Sequence, residues 1–180
     1  MSLWPVLPER DREQWNYVPT VGVGPLRFGM TGDEAVAALD GFTGYVPPPD
    51  SRARDQNGLF RRHGDPAYET ALYLYFDQPD GLYCVVPDAR YGPQVILDGM
   101  RLVGQPPSQW EADLTGYLGA RGMPLRYSPG GDAGSDELGI ITSVQRAGDV
   151  VLTRPVLLVQ RAWAYTLWDM VPAGEGDIYS

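Results

Sequence analysis

The segment ALYLYFDQPDGLYCVV contains three tyrosines, which are the best candidates in the sequence for a functional site. The function that these side chains suggest is binding of a partner rather than catalysis. Tyr73 and Tyr75 alternate with leucine and phenylalanine, so a strand would present both tyrosines on one face. Tyr83, in the next apolar run, can join them. Tyrosine provides a large amphipathic contact area and is enriched in protein interfaces. We therefore predict that Tyr73, Tyr75 and Tyr83 bind a partner, the alternative being that the protein covers them as core residues.

The turn between these two strands decides which side chains share a face. Pro79–Gly81 suits a three-residue hairpin loop in which a type I turn is closed by a glycine in the left-handed region. That loop pairs Phe76 with Cys84 and Leu74 with Val86. The register predicts an aliphatic face that includes Cys84 and Val86, and a separate face for the tyrosines.

The single histidine and single cysteine offer little for catalysis. His63 lies two residues before Asp65, but no serine or cysteine nucleophile motif accompanies this pair, so we expect a surface histidine. Cys84 lies in an apolar run and is predicted to be a small buried hydrophobic residue. A lone cysteine forms no internal disulfide. We predict no catalytic residue.

The acidic residues provide the remaining candidates. Asp132, Asp136 and Glu137 lie in a polar loop, but their spacing does not match a calcium-binding EF-hand, so we predict a surface loop or mobile hairpin. One histidine and one cysteine do not make a typical zinc site, and no metal or cofactor is predicted. The 23 acidic residues leave carboxylate-dependent hydrolysis open. The absence of lysine excludes Schiff-base and P-loop mechanisms.

The net charge of −9 and a sequence pI near 4.5 restrict the partners. Nucleic acids and anionic membranes attract basic surfaces, so neither is expected as a partner. An acidic protein favours a basic protein partner, the alternative being that the charge only maintains solubility. No apolar run reaches the length of a membrane span, and no secretory signal pattern is visible. We expect a cytoplasmic protein whose oligomeric state is open.

Two helices with start and stop signals must position these residues. The first is predicted from Gly32 to Asp40, with Thr31 and Glu34 forming a capping box and Gly41 ending the helix. The second begins after Pro107, where Ser108 and Glu111 suggest another capping box. The apolar face of the second helix consists of Trp110, Leu114, Tyr117 and Leu118.

The rest of the chain is predicted as strands and loops. Residues 42–70 are predicted to be mostly loop, with a short helix at Leu59–Arg62. Strands are expected at Gln94–Leu97, continuing towards Leu102, and at Pro124–Tyr127. A long hairpin is expected from Leu138–Gln145 and Val150–Trp163, with Pro155 forcing a bulge or an edge position.

A spacing of glycines suggests an internal repeat. Gly24 and Gly29 recur 75 residues later as Gly99 and Gly104, each pair preceding a helix and then a hairpin. The predicted fold class is α+β, a single domain of two tandem repeats, each a helix packed on an antiparallel sheet. The predicted parts are an arm at 1–20, repeats at 21–92 and 93–168, and a polar tail at 169–180 that frays.

The first helix also carries a resemblance. Gly29, Met30 and Thr31, followed by Glu34, Val36 and Leu39, resemble the G-M-T…V-x-x-L opening of helix-then-sheet modules in the β-lactamase-inhibitor-protein-like fold and in small outer-membrane assembly lipoproteins. The resemblance implies two modules in tandem that bind protein partners through an aromatic sheet face, without enzymatic activity. The second unit departs from it, because Gly104, Gln105 and Pro106 stand in place of G-M-T.

Three functions follow as hypotheses. The first is a non-enzymatic protein-binding module of inhibitor or immunity type, with its contact surface on the sheet face turned away from the first helix. The second is a small-molecule binder or carboxylate-dependent enzyme. The third is a structural subunit of a homo-oligomer that buries the aromatic tail.

Overall fold

The computed structural model describes residues 4–48, 56–64, 69–161 and 164–175. These residues form an α+β fold, mostly strands, with two helices and two sheets. The helices are α1 Gly32–Ala38 and α2 Pro107–Arg121. The strands are β1 Gln14–Val18, β2 Gly22–Val23, β3 Leu26–Arg27, β4 Phe42–Tyr45, β5 Gln56–Arg62, β6 Leu72–Asp77, β7 Gly81–Pro87, β8 Gln94–Leu97, β9 Met100–Arg101, β10 Arg126–Tyr127, β11 Ala133–Ser135, β12 Ile140–Ala147 and β13 Val150–Leu158. Short 3-10 turns lie at Glu9–Asp11 and Leu167–Met170.

The larger sheet has eight strands, and every pairing in it is antiparallel. Its order is β10-β11-β12-β13-β7-β6-β5-β4, so β4 and β10 are its edge strands. The smaller sheet has the order β3-β2-β1-β8-β9, in which β1 and β8 run parallel. The predicted N-terminal arm therefore contributes β1 as the central strand of this sheet.

The two helices pack on one side of the eight-stranded sheet, which we call its inner face. Ala35 and Leu39 bring α1 to the main core, and the side chains of α2 that enter it are Trp110, Leu114 and Leu118. The inner-face residues Phe60, Leu72, Leu74 and Phe76 belong to the same cluster. We call the opposite side the outer face. Neither helix in the described chain is long and apolar enough to cross a membrane.

The two helix starts differ from each other. At α1 the predicted capping box is confirmed: Thr31 Oγ1 accepts from the Glu34 amide, and the Glu34 carboxylate accepts from the Thr31 amide at 2.8 Å. At α2 the predicted box of Ser108 and Glu111 is wrong, because the helix begins with Pro107 and Ser108 is already its second residue. Proline at the first helical position has a preset φ and no amide that needs a cap. The helix ends at Gly122 in the left-handed region.

Three sequence predictions for strands need correction or sharpening. Leu59–Arg62, predicted as helical, is the second half of β5, because the alternation of buried and exposed side chains across Gly58–Arg61 is that of a strand. The strand expected to continue towards Leu102 turns back at Asp98–Gly99, whose φ values of 48° and 85° suit a type I′ hairpin turn. The predicted bulge at Pro155 is wrong, because the β12–β13 pairing continues without a shift through Thr142 and Pro155. Its strand is interior in the sheet order, and the pairing with β7 begins only at Leu157.

The register of the β6–β7 hairpin differs from the predicted one. Phe76 pairs with Leu82 and Tyr75 with Cys84, so Tyr83 is an extra residue in a β-bulge. A bulge moves the following side chains to the other face of the sheet. The prediction that Cys84 and Val86 share the aliphatic face is therefore wrong: both pack on the outer face with the tyrosines.

The order of elements occurs twice along the chain. A short hairpin (β2–β3), α1 and four strands (β4–β7) are followed by a second short hairpin (β8–β9), α2 and four more strands (β10–β13). All four glycines of the predicted repeat have positive φ: Gly24 55°, Gly29 91°, Gly99 85° and Gly104 71°. The β4–β7 strands and the β10–β13 strands meet where β7 pairs with β13.

One glycine in the β6–β7 hairpin is essential for packing. Gly81 has φ +76°, and a Cβ there would lie 2.5 Å from the Gly29 carbonyl oxygen and 2.6 Å from that of Met30. We predict that Gly81→Ala lowers the free energy of unfolding by about 2–4 kcal/mol, from left-handed strain and backbone overlap. Urea unfolding measures the change.

The control for Gly81→Ala is Gly116→Ala on the exposed side of α2, where an added Cβ has nothing within 4 Å. Alanine in a helix interior is favoured over glycine by about 0.5–1 kcal/mol, so this variant should be more stable than wild type. Equal effects of the two substitutions would contradict the assignment of Gly81 as a packing constraint.

Candidate functional site

The three predicted site tyrosines lie on the outer face, away from both helices, but two of them are covered. Tyr75 is 7% exposed and Tyr83 5%, whereas Tyr73 is half-buried. Residues 164–175, which we call the C-terminal cover, pack over Tyr75 and Tyr83. The part of the predicted tail that the structure describes, 169–175, is packed as far as Glu175 rather than frayed, and residues 176–180 lie outside the described chain.

The C-terminal cover has its own small core. Leu167 and Met170 are buried against an outer-face cluster that comprises Tyr75, Tyr83, Cys84, Val86, Ile141, Val156 and Leu158. The cover is oriented by polar contacts: the Asp169 carboxylate accepts from the Thr166 amide at 2.8 Å, and Asp136 Oδ1 accepts from the Leu167 amide at 3.1 Å. Hydrophobic burial and these caps together hold the cover on the sheet.

A buried charge pair fixes the end of the cover. The Glu175 carboxylate receives hydrogen bonds from both terminal nitrogens of Arg154, and it also accepts the Tyr75 hydroxyl. Arg154 is 5% exposed and Glu175 4% exposed. The Arg154 guanidinium also lies over the Tyr73 ring, 4.6 Å from its centroid, in a cation–π contact. Burial, followed by the nearby Glu175 charge, raises the pKa of the Tyr75 phenol.

A second arginine, Arg161, precedes the cover in the chain and binds the turn between β6 and β7. Arg161 Nη1 donates to Asp77 at 2.6 Å and to Asp80 at 3.1 Å, at the turn between β6 and β7. Its guanidinium lies 4.7 Å from the centroid of the Tyr83 ring. Tyr75 and Tyr83 are therefore engaged inside the protein while the cover is in place. Their role in partner binding stays a prediction.

The outer face is open at its β4 edge. Tyr45 on β4 pairs with Leu59 on β5, which pairs with Tyr73 on β6. Residues paired across neighbouring strands share a face, so these three side chains form one line, which we call the open row. Tyr45 is 66% exposed and Leu59 51%. The sequence does not single out Tyr45 and Leu59, because it predicts mostly loop for residues 42–70 and a short helix at Leu59–Arg62. The signal that could have revealed a strand is the alternation of small or aromatic residues with longer side chains across Gly58–Arg61.

A cleft of about 440 Å³ lies at the end of β4. One part of its lining is the end of β4 and the residues that follow it, Tyr45, Val46, Pro47 and Pro48. The rest comes from around the start of α1 and from the β6–β7 turn: Gly29, Thr31, Gly32, Asp33, Gln78, Pro79 and Gly81, with Gln56 and Phe76. Val46 closes the cleft against α1, where a Cβ on Gly32 would lie 2.8 Å from the Val46 side chain. The cleft thus adjoins the open row through Tyr45.

The other candidate residues occupy different places. His63 is exposed, and Asp65 lies outside the described residues, as does Trp163. Cys84 is a buried free cysteine, as predicted. Asp132 accepts from Ser128 in the loop of the β10–β11 hairpin, but the predicted surface loop is wrong for Ala133–Ser135, which form the buried strand β11 between Asp132 and Asp136. Within the described ranges, no group of three or more His, Cys, Asp or Glu side chains could hold a metal ion.

Comparisons of the chain with protein-family models, curated proteins and solved structures found no match. The resemblance at Gly29, Met30, Thr31, Glu34, Val36 and Leu39 to the β-lactamase-inhibitor-protein-like fold stays a prediction.

Removal of one partner of the buried Arg154–Glu175 pair should lower the free energy of unfolding. Glu175→Gln leaves the Arg154 guanidinium buried without a counter-ion, a change that typically costs about 3–5 kcal/mol. We expect the cover to detach, so that amide hydrogen exchange at Leu167–Met170 accelerates strongly. The double variant Arg154→Met, Glu175→Gln should recover most of the lost stability, and Asp149→Asn, at an exposed position, should change little. An additive double variant would contradict this coupling.

Because the phenols of Tyr17 and Tyr75 are buried, we expect the free energy of unfolding to fall at alkaline pH. Burial is the largest cause that raises the pKa of Tyr17 and Tyr75 above the ordinary value of about 10. Above about pH 10 the unfolded chain loses these protons and the folded protein retains them, so the free energy of unfolding falls by about 1.4 kcal/mol per pH unit for each group. Urea unfolding from about pH 9 to about pH 12, with phenolate absorbance, measures this. Tyr75→Phe should remove one such contribution, and an unchanged pH slope in that variant would refute it.

Proposed function

We propose that this protein is a non-enzymatic protein-binding module of inhibitor or immunity type that contacts its partner through the open row. The observation that supports this proposal is the line Tyr45, Leu59 and Tyr73, which exposes aromatic and aliphatic side chains on regularly paired strands. Strand pairing already orders the backbone that carries these side chains, so binding adds little cost in backbone entropy.

The charge of the protein supports a basic partner. A net charge of −9 steers positively charged proteins towards the molecule over distances of about one Debye length, about 8–10 Å at physiological salt. Electrostatic steering acts mainly on the association rate, whereas the open row would determine how long the complex lasts. The two kinds of contact therefore predict different kinetic effects.

We further propose that the chain is a tandem of two helix-on-sheet modules. The repeated order of hairpin, helix and four strands, and the positive φ of the four equivalent glycines, support this view. In this arrangement the two outer faces differ in what covers them. The C-terminal cover lies over β12–β13 and reaches β6–β7 of the first module, and β4–β5 is left for a partner.

The test replaces the open row without disturbing the core. The double variant Tyr45→Ser, Leu59→Ser changes two exposed side chains and should unfold at nearly the same urea concentration as wild type. Immobilised wild type and variant are incubated with lysate of the native host, and captured proteins are quantified by mass spectrometry. Loss of two contact residues worth about 1–2 kcal/mol each should lower capture of a specific partner more than tenfold.

The control is Val150→Ser, Val151→Ser, which removes two exposed valines of the β12–β13 hairpin instead. A specific partner should be retained by this control and lost by the open-row variant, and it should be a basic protein. If all three proteins capture the same set, the open row is not the contact surface. A mass that doubles with concentration in wild type alone would instead identify a second copy of the chain as the partner.

A further inference from the structure

The cleft beside the open row has a lining suited to one kind of side chain. Among its described lining residues, Asp33 alone carries a charge, and the walls are largely apolar: Val46, Pro47, Pro48, Phe76 and Pro79. In the described chain the Asp33 side chain has no hydrogen-bond or ion-pair partner, while its neighbour Glu34 is occupied by the capping box. Among the described lining residues, the cleft therefore combines apolar side chains with one carboxylate.

Arginine matches both features. Its aliphatic stem covers apolar surface while its charged head reaches a polar group, and the planar guanidinium forms paired hydrogen bonds with a carboxylate. The remaining N–H groups need further acceptors, which the side-chain amides of Gln56 and Gln78 in the same lining can supply. The positive end of the α1 dipole opposes a cation with at most about half a charge, which is less than the full charge of Asp33.

We propose that this cleft binds one arginine side chain of a basic partner segment that lies across the open row. Tyr45, the last residue of the edge strand β4, contributes to both the cleft and the row, so a partner segment that crosses this edge can contact both. The identity of the occupant as part of a protein partner rests on the proposed function. The affinity of the cleft for arginine does not, so the two can fail separately.

The experiment titrates the whole protein with N-acetyl-arginine amide and follows backbone amide signals by NMR. The expected result is a saturable shift confined to amides that line the cleft, such as Gly29, Gly32, Gln56 and Gly81. N-acetyl-citrulline amide, which has nearly the same shape but no charge, should bind several-fold more weakly. Asp33→Asn should weaken arginine binding about threefold to fivefold, the size expected for an accessible ion pair.

The matched control is Asp40→Asn, which removes the same charge from an exposed position outside the cleft lining. Its arginine affinity should equal that of wild type. The proposal is overturned if citrulline binds as well as arginine, if Asp33→Asn and Asp40→Asn behave alike, or if the shifts are spread over the surface or do not saturate. Arginine binding in the cleft together with an intact partner complex in the open-row variant would reject the proposed function alone.

Discussion

A sheet of eight strands has two faces, and in this protein both carry large apolar side chains that must be removed from water. The inner face solves this in the usual way for an α+β fold, by packing two helices and the small sheet against it. Neither α-helix of the described chain packs on the outer face. The C-terminal cover lies over parts of β6, β7, β12 and β13, and the described strands at the β4 edge remain open. Because the cover lies over Tyr75 and Tyr83 but not over Tyr45 and Leu59, the candidate contact surface lies at the β4 edge.

Arginine holds the parts of the fold together where apolar packing ends. Arg12 donates to the carbonyl oxygens of Ala89, Arg90 and Gly92 and so fixes the loop that joins the two sheets; its burial lowers the pKa of the guanidinium. Arg154 and Arg161 each combine carboxylates with the face of a tyrosine ring. A planar guanidinium can make hydrogen bonds at its edge and a cation–π contact at its face. Because the chain has no lysine, arginine provides these contacts in the described residues.

The tyrosines of the hairpin and the open row serve different purposes although they lie on one continuous face. Tyr75 anchors the C-terminal cover through the Glu175 carboxylate, and Tyr83 packs in the apolar cluster beneath it. Tyr73 is the boundary residue, because one side of its ring contacts Arg154 and its strand neighbour Leu59 is exposed. Beyond it the face is accessible, and the cleft with its single carboxylate continues from the same edge. A surface of this kind can combine a hydrophobic contact with a charged one in adjacent positions.

The sequence by itself determined the features that depend on neighbours along the chain. These are the capping box at Thr31, the apolar face of α2, the alternation that puts Tyr73 and Tyr75 on one face, and the burial of Cys84. Its errors arose where long-range contacts decide. The bulge at Tyr83 and the strand character of Leu59–Arg62 depend on partner strands, since pairing supplies the hydrogen bonds that local preference does not specify. Only the tertiary structure could show that Glu175, 100 residues from Tyr75, covers the predicted tyrosine site and leaves Tyr45 and Leu59 exposed instead.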